Sequence, residues 1–351
     1  MTSLSTWLDA PTQVWVCRGC GHVQSPDLPD VQAFYDHEYR ISLQSDDHDQ
    51  LYEMGPDGPV FRTGHQAALL AALDLPKGAR LMDFGAAKGT TTRRLMALRP
   101  DLRPHVFDVS EDYRDHWAGW IPPESQATYA LPAHWSGRFD LITAHFVLEH
   151  VASPVSVLAE LARCLTPSGK LFFSVPDPIK NPGDLLVVDH LNHFVPSSIN
   201  LALTAAGLCA VSLRQDLFRG AHVVVAEAGP PAAPTQLEPE AALDLLSEWT
   251  RIFASIDGFG RLGQRIAIYG AGFYGALFAP RLDAGLVAFL DRNPHLQGSK
   301  LGNFPILPPE SCPPVDLVIA ALNPARARAI LPPDVAWLPR GACVIYPGEP
   351  N

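Results

Sequence analysis

The sequence predicts an α/β protein: a parallel sheet in the middle of the chain, a small module before it, and half of a doubly wound sheet after it. Three observations carry this expectation. Strands and helices alternate from about residue 61 to 228. Two glycine turns, "LMDFGAAKG" (81–89) and "IYGAGFYG" (268–275), each join an apolar strand to a helix. Each turn is succeeded, about twenty residues on, by a strand ending in aspartate, Asp108 and Asp291.

Along the middle segment, the helix "GHQAALLAAL" leads to the strand "RLMDFG", the helix "GTTTRRLMAL" to the strand "PHVFDV", and the strand "FDLITAH" to the helix "PVSVLAELARCL" and the strand "KLFFSVP". Residues 1–60 are irregular and rich in Asp, Tyr and His, and form the N-terminal module. The segment "GPPAAPTQLEPE" (229–240) has linker composition, and "AALDLLSEWTRIFASI" reads as an amphipathic bracing helix that completes a linking region to residue 262. From 263 to 351, "RIAIYG", "VAFLD", "VDLVIAAL" and "ACVIYP" supply the strands of the C-terminal domain.

At 351 residues, 47% hydrophobic and 18% charged, the chain can bury substantial cores. A net charge of −11 argues against a nucleic-acid binder that works by neutralising phosphates, and small-molecule partners are expected. No apolar run approaches the roughly 18 residues of a membrane span, and the start "MTSLSTWLDAPTQ" has no leader pattern, so a cytoplasmic location is expected. Cys164, Cys209, Cys312 and Cys343 lie without partners at ligand spacing and read as reduced thiols.

In the first turn, Gly85 and Gly89 let the backbone bend tightly so that a ligand can approach main-chain amides, while Asp108 can accept both hydroxyls of a ribose. Downstream, "FDLITAHFVLEHV" ends a strand in a polar turn, and "LTPSGKLFFSVP" leads into a last strand. These ordered motifs resemble the class I S-adenosylmethionine-dependent methyltransferases: a D-x-G-x-x-x-G turn, an acidic end to the next strand, a "vLEHv" turn and "L-x-P-x-G-x-L", over about 150 residues. The resemblance implies a Rossmann-like sheet that binds S-adenosylmethionine. It implies cofactor contacts from Asp83, Gly85, Ala86 and Gly89, from Asp108 on the ribose, and from His145 near the methionine end. In that family an acidic residue often comes after the third strand near the adenine, where this chain has "YALPAHW" (129–135).

Methyl transfer to carbon or hydroxyl requires alignment, exclusion of water and removal of a proton. Asp189, His190 and His193 in "VVDHLNHF" stand just before the helix entry "PSSI". An imidazole suits general-base work near neutral pH, so His190 is the expected base, oriented by Asp189 or Glu149, with His193 at the acceptor. This run and the order of modules resemble the deoxysugar C-methyltransferases of natural-product pathways. These have an N-terminal zinc-binding module, a methyltransferase core and a C-terminal Rossmann-like domain that helps hold a nucleotide-linked sugar. In them a D/E-H-x-x-x-F run carries the base, matched here by Asp189, His190 and Phe194. A tyrosine from the N-terminal module covers the acceptor, implying Tyr39, with Tyr35 as its substitute. Their zinc site has two C-x-x-C pairs, and only Cys17 and Cys20 fill that motif here. The module then either closes a zinc site with His22 and His37 as replacement ligands, or is a degenerate knuckle that folds by packing alone.

The second turn satisfies G-x-G-x-x-G with Gly270, Gly272 and Gly275, yet no Ser-Tyr-Lys set comes after it to run hydride chemistry. Its amides can hold the pyrophosphate of a nucleotide sugar as readily as that of NAD, or the domain can be a structural remnant. The leading expectation is C-methylation of a nucleotide-linked sugar. The rivals are an O- or N-methyltransferase, an NAD-dependent sugar-nucleotide oxidoreductase or epimerase, and a non-catalytic sugar-nucleotide-binding protein.

Overall fold

The structure is a computed structural model and describes residues 1–3, 12–27, 49–230, 240–259, 263–282 and 284–349. The chain divides into two compact units. One comprises residues 13–178 and 189–239, and the other residues 1–12, 179–188 and 240–351. Packing therefore departs from the expected boundaries in two ways. Residues 13–27 and 49–60 belong to the middle unit rather than to a separate module, and ten residues from the middle of the chain join the C-terminal unit. The division at 239/240 falls at the proline-rich linker.

The middle unit begins with a hairpin of β1 (Trp15–Val16) and β2 (Val23–Gln24), then a second of β3 (Leu51–Gly55) and β4 (Gly58–Phe61), then helix α1 (Arg62–Ala71). Next come β5 (Arg80–Phe84), α2 (Thr90–Leu98), β6 (Arg103–Asp108), the short α3 (Arg114–Trp117), β7 (Gln126–Thr128) and β8 (Phe139–His145). The unit is completed by α4 (Pro154–Cys164), β9 (Leu165–Pro176), β10 (Asn192–His193), α5 (Pro196–Ala205), β11 (Leu208–Arg214) and β12 (Ala221–Ala228). Seven of these strands form one sheet in the order β11-β12-β9-β8-β5-β6-β7. It is parallel from β9 to β7, and β12 and β11 add antiparallel to β9.

Alternation along the central strands builds two cores, because successive side chains point to opposite faces. Met82, Ile142 and Phe173 pack on the face covered by α4 and α5, and their neighbours Leu81, Leu141 and Phe172 pack on the face covered by α1 and α2. The helices start where the sequence allows. Pro154 occupies the first turn of α4, where its missing N–H costs nothing. Gly89, left-handed at φ 71°, caps α2. The chain leaves β5 to one side through β6 and returns to its other side at β8, so the crevice for a ligand opens at the carboxyl ends of β5 and β8.

The C-terminal unit contains α6 (Glu240–Phe259), β13 (Ile266–Tyr269), α7 (Phe273–Leu282), β14 (Leu286–Leu290), β15 (Lys300–Leu301), β16 (Phe304–Leu307), β17 (Leu317–Ala320), α8 (Ala327–Ile330) and β18 (Cys343–Ile345). Its sheet runs β15-β16-β14-β13-β17-β18. The inserted segment 179–188 is tied in by polar bonds. Trp249 Nε1 donates to the Pro182 carbonyl (2.9 Å), and the Tyr274 hydroxyl donates to Asn181 Oδ1 (2.8 Å) and accepts the Gly183 N–H (3.2 Å). No helix among the described residues is long and apolar enough to cross a membrane.

Candidate functional site

The glycine turn after β5 is held by main-chain bonds. The N–H groups of Gly85 and Ala86 both donate to the Phe107 carbonyl, at 2.9 and 3.0 Å, and the Gly89 N–H donates to Ala86 O at 2.7 Å. Alternate residues Gly85, Ala87 and Gly89 lie in the left-handed region, at φ 75°, 47° and 71°. At Gly85 a Cβ would sit 2.5 Å from Val147 Cγ2, so glycine is required there by space as well as by conformation. Two bonds offset the strain at Ala87. Its N–H donates to Asp108 Oδ2 (2.8 Å) and its carbonyl accepts Trp117 Nε1–H (2.7 Å). The non-glycine residues with positive φ among the described residues are Ala87, Tyr129 and Phe146, which come after β5, β7 and β8. Backbone strain thus collects at one edge of one sheet, as it does where ligands are held.

Asp108 ends β6 with its carboxylate accepting main-chain amides, Ala87 on Oδ2, Ser110 on Oδ1 (3.3 Å) and also Val109. Burial pushes its carboxyl up to about 6, partly offset by these amides. Val109 and Tyr129, both about half exposed, flank it with apolar surface. Sequence reasoning gave neither residue a role.

Asp83, expected at the cofactor, lies beneath the turn. Its oxygens accept the hydroxyls of Thr92 (2.6 Å) and Thr143 (2.9 Å), so it locks α2 and β8 to β5 and acts on the turn through them. His145 sits at the end of β8 with Nδ1 3.1 Å from Ser174 Oγ, while its Nε2 is buried without a hydrogen-bond partner. Burial, and after it the positive charge of Arg62, lowers its pKa to about 3, so the imidazole is neutral at physiological pH.

Three side chains from the turn after β8 and the loop before β10 converge. Glu149, His150 and His190 each place a ligand-type atom within 4.8 Å of the others. The rings of His150 and His190 meet edge to face at 4.7 Å. Asp189 engages His150 through its carbonyl (2.8 Å from Nδ1) and its carboxylate (3.7 Å). His150, contained in the "LEH" of the polar turn but given no role by sequence reasoning, is thus part of the cluster. Two bonds from Asn192 Nδ2, to Leu148 O (3.3 Å) and Val151 O (2.7 Å), and one from the Leu191 N–H to Glu149 O (2.6 Å) lace the two loops together.

His193, expected at the acceptor, lies in β10 beside the N-terminal hairpin. It is fully buried, pairs with Val23 in the β10–β2 ladder and bonds Ser25 Oγ through Nε2 (2.9 Å), so it anchors the N-terminal hairpin. Cys17 and Cys20 occupy that hairpin as free thiols. The Cys20 thiol and loop amides lower the pKa of Cys17, and burial raises that of Cys20. Among the described residues they gather no third metal-type donor, and His22 Nε2 faces Asn192 Oδ1 (3.1 Å) instead. Tyr35, Tyr39 and His37 lie outside the described residues.

In the C-terminal unit the second turn repeats the first turn's bracing. The Ala271 N–H donates to Asp291 Oδ2 (2.8 Å), and the Asn293 N–H donates to Oδ1 (2.7 Å). Its three glycines have separate physical reasons. Gly270 has φ 104° and would press a Cβ 2.5 Å from Ala321 O. Gly275 would place one 2.1 Å from Gly270 O. Around Gly272 nothing lies within 4 Å. The first and third are therefore required by packing, and the middle one leaves its backbone open.

Residues 61–213, most of the middle unit, match the family described as a methyltransferase domain. The middle unit is thus similar to methyltransferase domains over these residues. Relatives of the chain include the ubiquinone biosynthesis O-methyltransferase of Xanthomonas oryzae pv. oryzae (strain PXO99A), 33% identical over 109 residues, covering 30% of this chain and 45% of that protein. That of Xanthomonas axonopodis pv. citri (strain 306) is 31% identical over 104 residues, covering 28% and 44%. The chain thus spans less than half the length of these relatives. A solved S-adenosylmethionine-dependent methyltransferase from Mesorhizobium loti aligns with 46% of this chain and 97% of its own, at 18% identity and a TM-score of 0.38.

S-adenosylmethionine fits the residues present. The buried Asp108 carboxylate ends β6 beside the turn and can accept the ribose hydroxyls as further donors. Such donors favour its ionised form, the form that burial disfavours.

Proposed function

We propose that the chain transfers the methyl group of S-adenosylmethionine to a small acceptor held over the Glu149–His150–His190 cluster. The leading acceptor is a nucleotide-linked ketosugar methylated at carbon. When bound, S-adenosylmethionine supplies an electrophilic methyl on a sulfonium: its C–S bond breaks with the electron pair left on sulfur as the bond from acceptor to methyl forms. Asp108 takes the ribose hydroxyls, and the buried, neutral His145 lines the methionine end without adding a charge that would repel the sulfonium. The proton that the acceptor gives up is drawn off at the cluster, with His190 among the groups responsible.

One observation carries this reading: the convergence of Glu149, His150 and His190 at the same strand edge as the glycine turn, where Val147 already fills the space over Gly85. A second reading, transfer to a hydroxyl, is favoured by the names of the relatives, which are O-methyltransferases.

The test is incubation with labelled donor and a panel of nucleotide ketosugars, free sugars and phenols, read by mass spectrometry. A gain of one methyl mass on a ketosugar carbon supports the first reading, and a gain on oxygen supports the second. His190→Ala should keep S-adenosylmethionine affinity while transfer falls by about 10²-fold or more. Unchanged transfer in that variant would remove the cluster from the reaction.

A further inference from the structure

The cluster has the composition of a metal site. Two imidazoles and one carboxylate place their donor atoms within 4.8 Å of one another. A tetrahedral ion bonded at about 2.0–2.2 Å holds its ligand atoms about 3.4 Å apart, so the side chains would close by up to about 1.4 Å to share one.

The protonation pattern is also set for metal binding. A carbonyl oxygen can only accept, so the 2.8 Å contact with Asp189 O fixes the proton of His150 on Nδ1, and the neutral ring then presents its lone pair at Nε2. The Asp189 carboxylate is fully buried and lies 3.7 Å from the same nitrogen. An imidazole backed by a carbonyl and a carboxylate is the outer arrangement that orients a ligating histidine. The bonds from Asn192 and Leu191 hold the two loops in register before any ion arrives. Glu149 is fully buried and His190 nearly so, and a divalent charge compensates a carboxylate held out of water.

We propose that Glu149, His150 and His190 bind one divalent transition-metal ion. The donor set selects zinc, cobalt, nickel, iron or manganese over calcium and magnesium, because imidazole is the majority ligand. Three protein ligands leave a coordination position open, and its occupant is an oxygen of the acceptor. The ion would polarise that oxygen and lower the pKa of its hydroxyl or of the adjacent C–H, and the proton would pass to the Glu149 carboxylate oxygen that the ion leaves free, because a ligating His190 has already given its lone pair to the ion. This rests on the reading that the acceptor lies over the cluster, and it narrows the acceptor to one with an oxygen at or beside the methylated atom.

The test uses the full-length chain, stripped with chelator and titrated with Co²⁺. We expect a saturable visible absorption band at one equivalent per chain and a metal-dependent rise in Tm. Glu149→Gln, His150→Gln and His190→Gln should each weaken Co²⁺ binding at least tenfold, and Cys17→Ser with Cys20→Ser should leave it unchanged. A wild-type protein that shows neither the band nor the Tm rise overturns the site. So does a band that survives all three single substitutions or vanishes with the cysteines. The Tm measurement decides the matter even where a variant fails to fold. Calorimetry with S-adenosylmethionine on the stripped protein separates the two readings: donor binding and transfer without Co²⁺ binding defeat the metal site alone, and loss of donor binding defeats the methyltransferase reading.

Discussion

At the scale of single residues, Asp108 carries the most consequence. Its carboxyl is held at about 6, above the ordinary 3.8, chiefly by burial. The sign comes from linkage: a raised carboxyl binds its proton more tightly folded than unfolded, so it opposes stability as pH rises through this window. The ribose hydroxyls prefer the ionised form, so donor affinity should move the other way. Between about pH 5 and pH 7.5, S-adenosylmethionine should bind about tenfold more tightly as Asp108 ionises, and Asp108→Asn should flatten that dependence at reduced affinity. Calorimetry across this range checks it, and a wild-type affinity indifferent to pH would contradict the assignment. Gly85→Ala meets both a positive φ and Val147, and should cost about 1–3 kcal/mol in a urea melt together with most donor affinity.

At the scale of elements, the first turn is shaped from below by a bond pair that no motif predicts. Thr92→Val removes the hydroxyl 2.6 Å from Asp83 Oδ2 and should cost about 1–3 kcal/mol in a denaturant melt, because it leaves a buried carboxylate oxygen short of a donor. Glycine substitutions should separate the reasons for each position in the second turn. Gly275→Ala should unfold or strongly destabilise the C-terminal unit, whereas Gly272→Ala should leave its melting unchanged, since only a ligand would feel the added methyl. Much of this level was legible in the sequence. The strands "RLMDFG", "PHVFDV" and "FDLITAH" are β5, β6 and β8, and the helices before and after the first of them are α1 and α2, because long apolar periods report burial directly. The short β7 and the β11–β12 hairpin were not legible. Three residues carry too little pattern, and "LCAVSLR" at a sheet edge is only partly buried, so its alternation is weak. The role of His150 was hidden for another reason. It depends on Asp189, thirty-nine residues away, and no local period encodes a contact at that separation.

At the scale of the molecule, the chain carries two glycine turns built alike, each with an aspartate bracing an amide of the turn, Ala87 to Asp108 and Ala271 to Asp291. Sequence alone separated them only by the motifs downstream of each, and the folded chain adds a physical distinction. The first turn shares its strand edge with the Glu149–His150–His190 cluster and with three strained non-glycine residues, and among the described residues no second trio of metal-type donors gathers in the C-terminal unit. The segment 179–188 shows what linear reading misses at this scale. It packs with residues 240–351 although the residues on either side of it belong to the methyltransferase domain. The central claim is that the turn of Gly85, Gly89 and Asp108 is the donor site, and isothermal titration of the full-length chain with S-adenosylmethionine tests it most directly. A saturating heat at one equivalent per chain, lost in Asp108→Ala and kept in Gly272→Ala, is the predicted result. No heat from this donor, or a heat that Asp108→Ala leaves untouched, would contradict it.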